Sequence, residues 1–383
     1  MKIRKITLKN WKNFAHAEAE IRDRRFLVGP NASGKSNFLD AFRFLRDLAS
    51  TGGGLQEAVR RRGGVSAIRC LAARRQSEVR IHVMVENGRG YWDYELSFGQ
   101  NKQRQPLVRT ERVRHGVKLL LERPTFEDRA DPIRLTQTYI EQVNVNQPFR
   151  RLASFFASIR YLHIVLQLVK EPDRATGREN DPFGGDFLEQ VGKTSERTRS
   201  VRPKRILNAL KFAVPQLNEI ELFRDERGTP HLRGKYHHWR PKGARQTDEQ
   251  FSNGTLRLTG LLWATQDKKG PLLLEEPELS LHPEIICRLP QVFARAGRRT
   301  ARQIFLSMHS PDLLRDEGIG LDEVLLLVPK SEGTEFTTAA AHQDIRDLLK
   351  GGLSLADAVI PKTRPKKVEQ LTLFGDVCVC HSR

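Results

Sequence analysis

Val79, Ile81, Val83 and Val85 alternate with polar residues, and Trp92, Tyr94, Leu96 and Phe98 do so again after an Asn87-Gly88 turn. A period of two predicts a half-buried antiparallel hairpin. A second hairpin is predicted around His115-Gly116. Residues 2–11 read as an edge strand with Ile6 and Leu8 on one face. Phe26-Leu27-Val28 is a short apolar strand that runs into a Gly/Pro/Asn turn. In residues 35–48, Phe38, Phe42 and Leu45 fall at i, i+4 and i+7, which predicts a helix with one buried stripe. The chain thus opens with strand, glycine loop and helix, and an antiparallel sheet follows.

Residues from about 170 to 250 are rich in Arg, Pro, Gly and Asp. They offer one helix, 205–214, and a hairpin at Arg227-Gly228, which reads as an inserted, partly helical subdomain. Beyond it come a helix at 255–265 and strands at 271–274, 303–307 and 323–328. From about residue 360 the chain reads as a basic linker. Heptads and internal repeats are absent, so no long coiled coil is expected. The predicted organisation is a first lobe at 1–170, the insertion at 171–249, a second lobe at 250–350 and a basic flexible tail at 351–383.

The 383 residues are 38% hydrophobic, enough for a large two-lobed unit. No apolar run reaches the length of about 18 residues needed to cross a bilayer, and the first residues lack the apolar stretch of a secretion signal. The expectation is a cytoplasmic protein with no membrane partner. Cys70, Cys287, Cys378 and Cys380 are too few and scattered for a disulfide framework. Cys378, Cys380 and His381 lack an evident fourth metal ligand, and reduced thiols are the plainer account. The net charge of +19 favours a polyanionic partner, most often nucleic acid. Arg60-Arg61-Arg62 is the basic segment that suits it.

Gly29-Pro30-Asn31-Ala32-Ser33-Gly34-Lys35-Ser36 fits G-x-x-x-x-G-K-S/T without a gap. It lies between strand and helix, where the pattern belongs. Glycines let the backbone wrap phosphate oxygens, and the helix N-terminus adds free N–H groups and a positive dipole end. Lys35 supplies a point charge for the β- and γ-phosphates, and Ser36 a hydroxyl for Mg²⁺. Asn37 completes the ATP-binding set. Leu272-Leu273-Leu274-Glu275-Glu276-Pro277 is a buried strand that ends in two acids. Beside a phosphate loop, Glu275 would hold the Mg²⁺ shell and Glu276 would act as general base toward water.

Phe251-Ser252-Asn253-Gly254-Thr255 precedes the apolar helix at 255–265. Alone it is a common helix cap. Together with GPNASGKSNFLDAF, LLLEEPELSLHP and FLSMHSPDLL it resembles the RecF/SMC/OLD group of ABC ATPases, above all the stand-alone ATPases of that group. The resemblance covers roughly residues 1–50 and 250–315. It implies an α/β P-loop fold of ABC type, a two-lobed head with an antiparallel β-subdomain and a partly helical insertion. It also implies a homodimer, or a higher oligomer built on it, in which two heads sandwich two ATP molecules. Ser252, Gly254 and Thr255 would then reach the nucleotide of the other head. His309 corresponds to the family's switch histidine, and Leu279-Ser280-Leu281-His282-Pro283 to the loop that crosses the dimer seam. The family's Mg²⁺-completing glutamine has Gln167 as its best candidate, although an amphipathic strand residue is an equal reading of that position.

The spacing between Lys35 and Ser252 is too short for the long arms of SMC-type proteins. After His309 there is no Glu plus Asp-x-Asp cluster, so nuclease activity is not carried over from OLD proteins. The expected function is an ATPase acting on or near DNA, in repair or anti-phage defence, that regulates a separate nuclease or effector chain. A nucleotide-dependent scaffold with little turnover is the alternative. A transporter subunit would show L-S-G-G-Q in place of Ser252-Asn253-Gly254-Thr255. In the tail, Gln370, Leu371, Leu373 and Phe374 resemble the Q-L-S/D-L-F peptide that grips the bacterial sliding clamp, or else form a strand that packs back on the protein.

Overall fold

The structure, a computed structural model, describes residues 1–364 except 74–75, 89, 171–180, 182, 194–195, 238–243 and 267–269. The clamp-like peptide at 370–374 and Cys378, Cys380 and His381 lie outside the described residues.

The alternation read in the first third builds one antiparallel sheet. Strands β1 (Lys2–Trp11) and β2 (Phe14–Glu20) form a hairpin. The chain leaves it through β3 (Arg24–Val28), then α1 (Lys35–Ala49) and α2 (Leu55–Arg60). It returns as β4 (Val79–Asn87), β5 (Gly90–Gln100), β6 (Pro106–His115) and β7 (Lys118–Arg123). The strand order is β2-β1-β4-β5-β6-β7. Residues 2–11 are therefore not an edge strand: β1 pairs with β2 on one side and β4 on the other.

The second half supplies a sheet centred on β3. Strand β8 (Arg160–Leu162) and helix α3 (Leu166–Lys170) lead into the insertion. There α4 (Glu196–Leu210) packs by a three-stranded antiparallel sheet of β9 (Leu217–Arg224), β10 (Pro230–Tyr236) and β11 (Ala244–Thr247). The helix expected at 205–214 starts nine residues earlier, runs through Pro203 and stops at Leu210. Then follow α5 (Asn253–Thr265), β12 (Leu272–Glu275), α6 (Leu289–Thr300) and β13 (Ile304–Ser307). The hairpin β14 (Val324–Lys330) and β15 (Gly333–Thr338) completes the sheet, in the order β15-β14-β3-β13-β12-β8. Its pairs are parallel except β14–β15. A last helix, α7 (Leu355–Thr363), buries Ala358 and Val359, so the segment read as a linker from about 360 is helical to Thr363.

Helix α1 lies between the two large sheets, and this shapes its burial. Phe44 stacks on Phe98 of β5, with ring centroids 5.3 Å apart. Phe42 meets Phe305 of β13 at 5.0 Å and Phe38 meets Phe336 of β15 at 4.8 Å. The helix is thus apolar on two sides rather than along the single stripe its periodicity predicts. Phe42 is fully buried. Phe42→Ala should cost about 3–5 kcal/mol of stability, read as a lower denaturant midpoint with no change in the slope.

The basic segment at 60–62 is met by acids of its own surroundings. Arg62 is buried and paired with Asp40 at 2.8 Å and Asp47 at 3.0 Å, both on α1. Arg60 and Arg61 share Glu57, each at 2.7 Å. Their hydrogen bonds hold the Glu57 carboxyl at a pKa of about 2. Arg62 is thus taken up within the protein, while Arg60 and Arg61 stay exposed and share one carboxylate.

Candidate functional site

The register of the parallel sheet ends three strands level. Glu275 of β12 pairs with Ser307 of β13, and Ser307 pairs with Leu27 of β3. The glycine loop, the two acids and His309 therefore emerge side by side at the carboxyl ends of the strands, where ligands of open α/β sheets sit.

The loop's backbone leaves little choice at its glycines. A Cβ at Gly29 would stand 2.8 Å from the Leu327 carbonyl oxygen. Gly34 caps α1 at φ 97°, and Ala32 adopts φ 61°. Such alternation turns successive N–H groups into a concave anion site. Lys35 is buried, and its Nζ donates to the carbonyls of Gly29 at 2.7 Å and Pro30 at 3.0 Å. Burial lowers its pKa, while Glu276, Glu278 and Glu275 oppose the shift. Asn37 donates from Nδ2 to Asn13, which in turn donates to the Ala32 carbonyl at 3.2 Å. That chain holds the loop in shape.

Ser36 donates its hydroxyl to one oxygen of Glu275, and Tyr161 of β8 donates its phenol to the other. Burial, then the Glu275 charge, pushes the Tyr161 pKa well up, so the phenol keeps its proton. Glu276 sits at φ 46° and receives a backbone bond at its carbonyl from Arg257 at 3.4 Å. Its carboxylate Oε1 lies 3.1 Å from His309 Nε2. The His309 pKa is lowered by burial and by the Lys35 charge, against the pull of Glu276; the ring is neutral at pH 7. Glu278 is buried and accepts from the backbone N–H of His309 at 2.6 Å and Ser310 at 3.2 Å. It thereby fixes the turn that carries the histidine.

The structure brings Lys35, Ser36, Glu275, Glu276 and His309 together. Ser252, Gly254 and Thr255 stand elsewhere, at the start of α5. Ser252 caps this helix, its Oγ accepting from the Thr255 N–H at 3.2 Å. Ser252 and Asn253 are exposed, and Gly254 lies against the 279–281 loop, where a Cβ would come 2.9 Å from the Ser280 oxygen. The amide-rich start of α5 is therefore open to a second molecule. For Gln167 the strand reading fails: β8 stops at Leu162, and Gln167 is exposed on α3. Tyr161 is the residue that sequence reasoning missed. The nearest signal is its place on an apolar stretch, but only the pairing of Tyr161 with Leu273 sets it next to Glu275.

Cys70 and Cys287 are free thiols. Among the described residues no cluster of His, Cys, Asp and Glu suits a metal ion, and no helix is long and apolar enough to cross a membrane.

Residues 26–315 match the family described as "AAA domain, putative AbiEii toxin, Type IV TA system". No curated protein matches the chain. Among solved structures, the SMC head bound to the C-terminal winged-helix domain of ScpA aligns with TM-score 0.54 and 13% identity, over 88% of this chain and 97% of that one. The SMC head with an extended coiled coil, bound to the C-terminal domain of ScpA, from Pyrococcus furiosus, aligns with TM-score 0.52 and 12% identity over 91% and 99%. The SMC head domain from Thermotoga maritima has TM-score 0.49 and 16% identity over 88% and 99%. At these identities the first two show a shared fold.

Proposed function

The chain belongs to the AAA_21 family and is a P-loop ATPase domain of the SMC-head type, and on that premise we propose that it hydrolyses ATP between two copies of itself while bound to DNA. The observation that carries the reading is the convergence of Ser36, Glu275, Glu276 and His309 beside the phosphate loop.

Lys35 would leave its carbonyl partners for the β- and γ-phosphates. Ser36 and Glu275 form a hydroxyl–carboxylate pair, the hard oxygen set that suits Mg²⁺. Bound there with ATP, the ion would neutralise phosphate charge. Tyr161 holds the free oxygen of Glu275 and so orients the pair. Tyr161→Phe should raise the magnesium concentration for half-maximal turnover by about tenfold, with ATP affinity measured without metal unchanged. Unchanged magnesium dependence would remove Tyr161 from the site. Glu276 would take a proton from the attacking water. His309, neutral and next to it, would hydrogen-bond the γ-phosphate. Ser252 and the first amides of α5 would approach the same phosphate from the partner copy, because a helix N-terminus stabilises an anion.

DNA repair or anti-phage defence is the setting we propose, with hydrolysis controlling a separate nuclease or effector protein. The family description names a toxin–antitoxin system, which suits the defence setting. The net charge of +19 supports the DNA part. Turnover should rise with DNA at low salt and lose that stimulation steeply between about 50 and 200 mM salt. If duplex and single-stranded DNA both leave turnover unchanged at low salt, the DNA part is wrong.

A further inference from the structure

Helix α6 is apolar on one side only. Leu289, Pro290 and Phe293 face the core. Arg288, Arg295, Arg298 and Arg299 are exposed. At 100° per residue, Arg288, Arg295 and Arg299 fall within about 40° of one another, with Arg298 on their flank. Arg288, Arg295 and Arg298 line a cleft of about 1070 Å³, together with Arg302 and with Arg24 and Arg315, which are paired with Glu323 and Asp312; Arg299 lies beyond its wall.

Two of the cleft's five acids are ion-paired already. Asp23 binds Lys2 at 2.6 Å, and Glu323 binds Arg24 at 2.6 Å. Asp316 accepts from the Gly318 N–H at 2.7 Å. Glu284, Asp316 and Glu317 remain as countercharge, fewer than the seven basic side chains that line the cleft. Among the described residues Arg288, Arg295, Arg298 and Arg299 make no ion pair. Like charges one turn apart on a helix repel each other, so a row without ion pairs in a cleft of net positive charge fits an anion from outside.

We infer that this cleft seats the sugar-phosphate backbone of DNA. The inference rests on the DNA reading above and gives it a location. The arginine row is about 15 Å long, over which one strand of B-DNA presents about four phosphates. Guanidinium groups match phosphate geometry in pairs of hydrogen bonds, and a concave cationic wall follows a polyanion. The segment at 60–62 differs, because Asp40 and Asp47 hold Arg62 while Arg60 and Arg61 share Glu57. The cleft is also placed apart from the nucleotide. Arg24 starts β3 and Arg302 precedes β13, whereas Lys35 and His309 follow the other ends of these strands and Glu275 ends the parallel β12. DNA in the cleft therefore leaves the ATP site open, and any effect on turnover passes through β3 and β13.

The test is R288E/R295E/R298E on the full chain, none of whose positions belongs to the ATP site. Binding of a fluorescent 30-base-pair duplex would be followed from 50 to 200 mM salt, with ATPase activity measured without DNA. The variant should bind on the order of a hundredfold more weakly at 100 mM salt, and its log–log salt slope should be shallower by about 2.7. DNA-free turnover should match wild type, and R60E/R61E should bind as wild type does. The neutral variant R288Q/R295Q/R298Q should fall between the two, which separates lost contacts from reversed charge. If the charge-reversed variant keeps wild-type affinity and slope while wild type binds DNA, the location is wrong and the DNA reading stands. If wild type neither binds DNA nor responds to it, or binds polyglutamate in its place, both fall.

Discussion

Glu276→Gln should lower ATP turnover by roughly 10²–10⁴-fold, the usual worth of a positioned general base, while ATP binding stays within a few-fold of wild type. The amide keeps the shape of the carboxylate and can still meet His309, 3.1 Å away in the native pair. It cannot accept the proton of the attacking water. Lys35 and Ser36, which meet the phosphates, are untouched. ATP should therefore accumulate between paired heads, and the variant should elute as a dimer in ATP and as a monomer without it. Gel filtration beside a phosphate-release assay reads both. A scaffold that merely holds a partner through bound nucleotide would show little change in either.

The second large effect belongs to Ser252→Arg. Ser252 is exposed, and its side chain bonds to Thr255 within its own helix cap. The lost cap should cost about 1 kcal/mol of helix stability, too little to unfold the protein. ATP affinity should be close to wild type, since the residues around Lys35 are intact. Turnover should drop on the order of a hundredfold, because a long cationic side chain blocks the start of α5 from the partner's nucleotide. A variant that turns over normally would mean that α5 does not take part.

How much of this was legible follows from how local each signal is. The phosphate loop could be read from residues because its chemistry is written in the backbone: Gly29 where a side chain would meet Leu327, Gly34 where φ is 97°. Glu275 and Glu276 announced themselves by an apolar strand that ends in acids. Strand β2 escaped because it is built on Ala15, Ala17 and Ala19, residues with weak strand preference; without it β1 looked like an edge. The breadth of apolar surface on α1 depends on two sheets that meet it from opposite sides, a fact no single-helix periodicity contains. Tyr161 and Arg62 show the same limit from opposite directions. Tyr161 reaches Glu275 only through the register of β8 on β12, and Arg62 looked free until α1 set Asp40 and Asp47 against it. Gln167 rests on family resemblance alone, and the strand reading of that position fails because β8 ends five residues before it.

In the proposed dimer each ATP is completed by two molecules. Lys35→Ala removes the phosphate-loop charge, and Ser252→Arg removes the α5 contribution, so each variant alone should be inactive. In an equal mixture half the dimers are mixed, and each of these carries one wholly intact site. The mixture should recover roughly a quarter of wild-type turnover. If it is no more active than the two variants measured separately, Ser252 does not act on a neighbour's nucleotide and the account is contradicted.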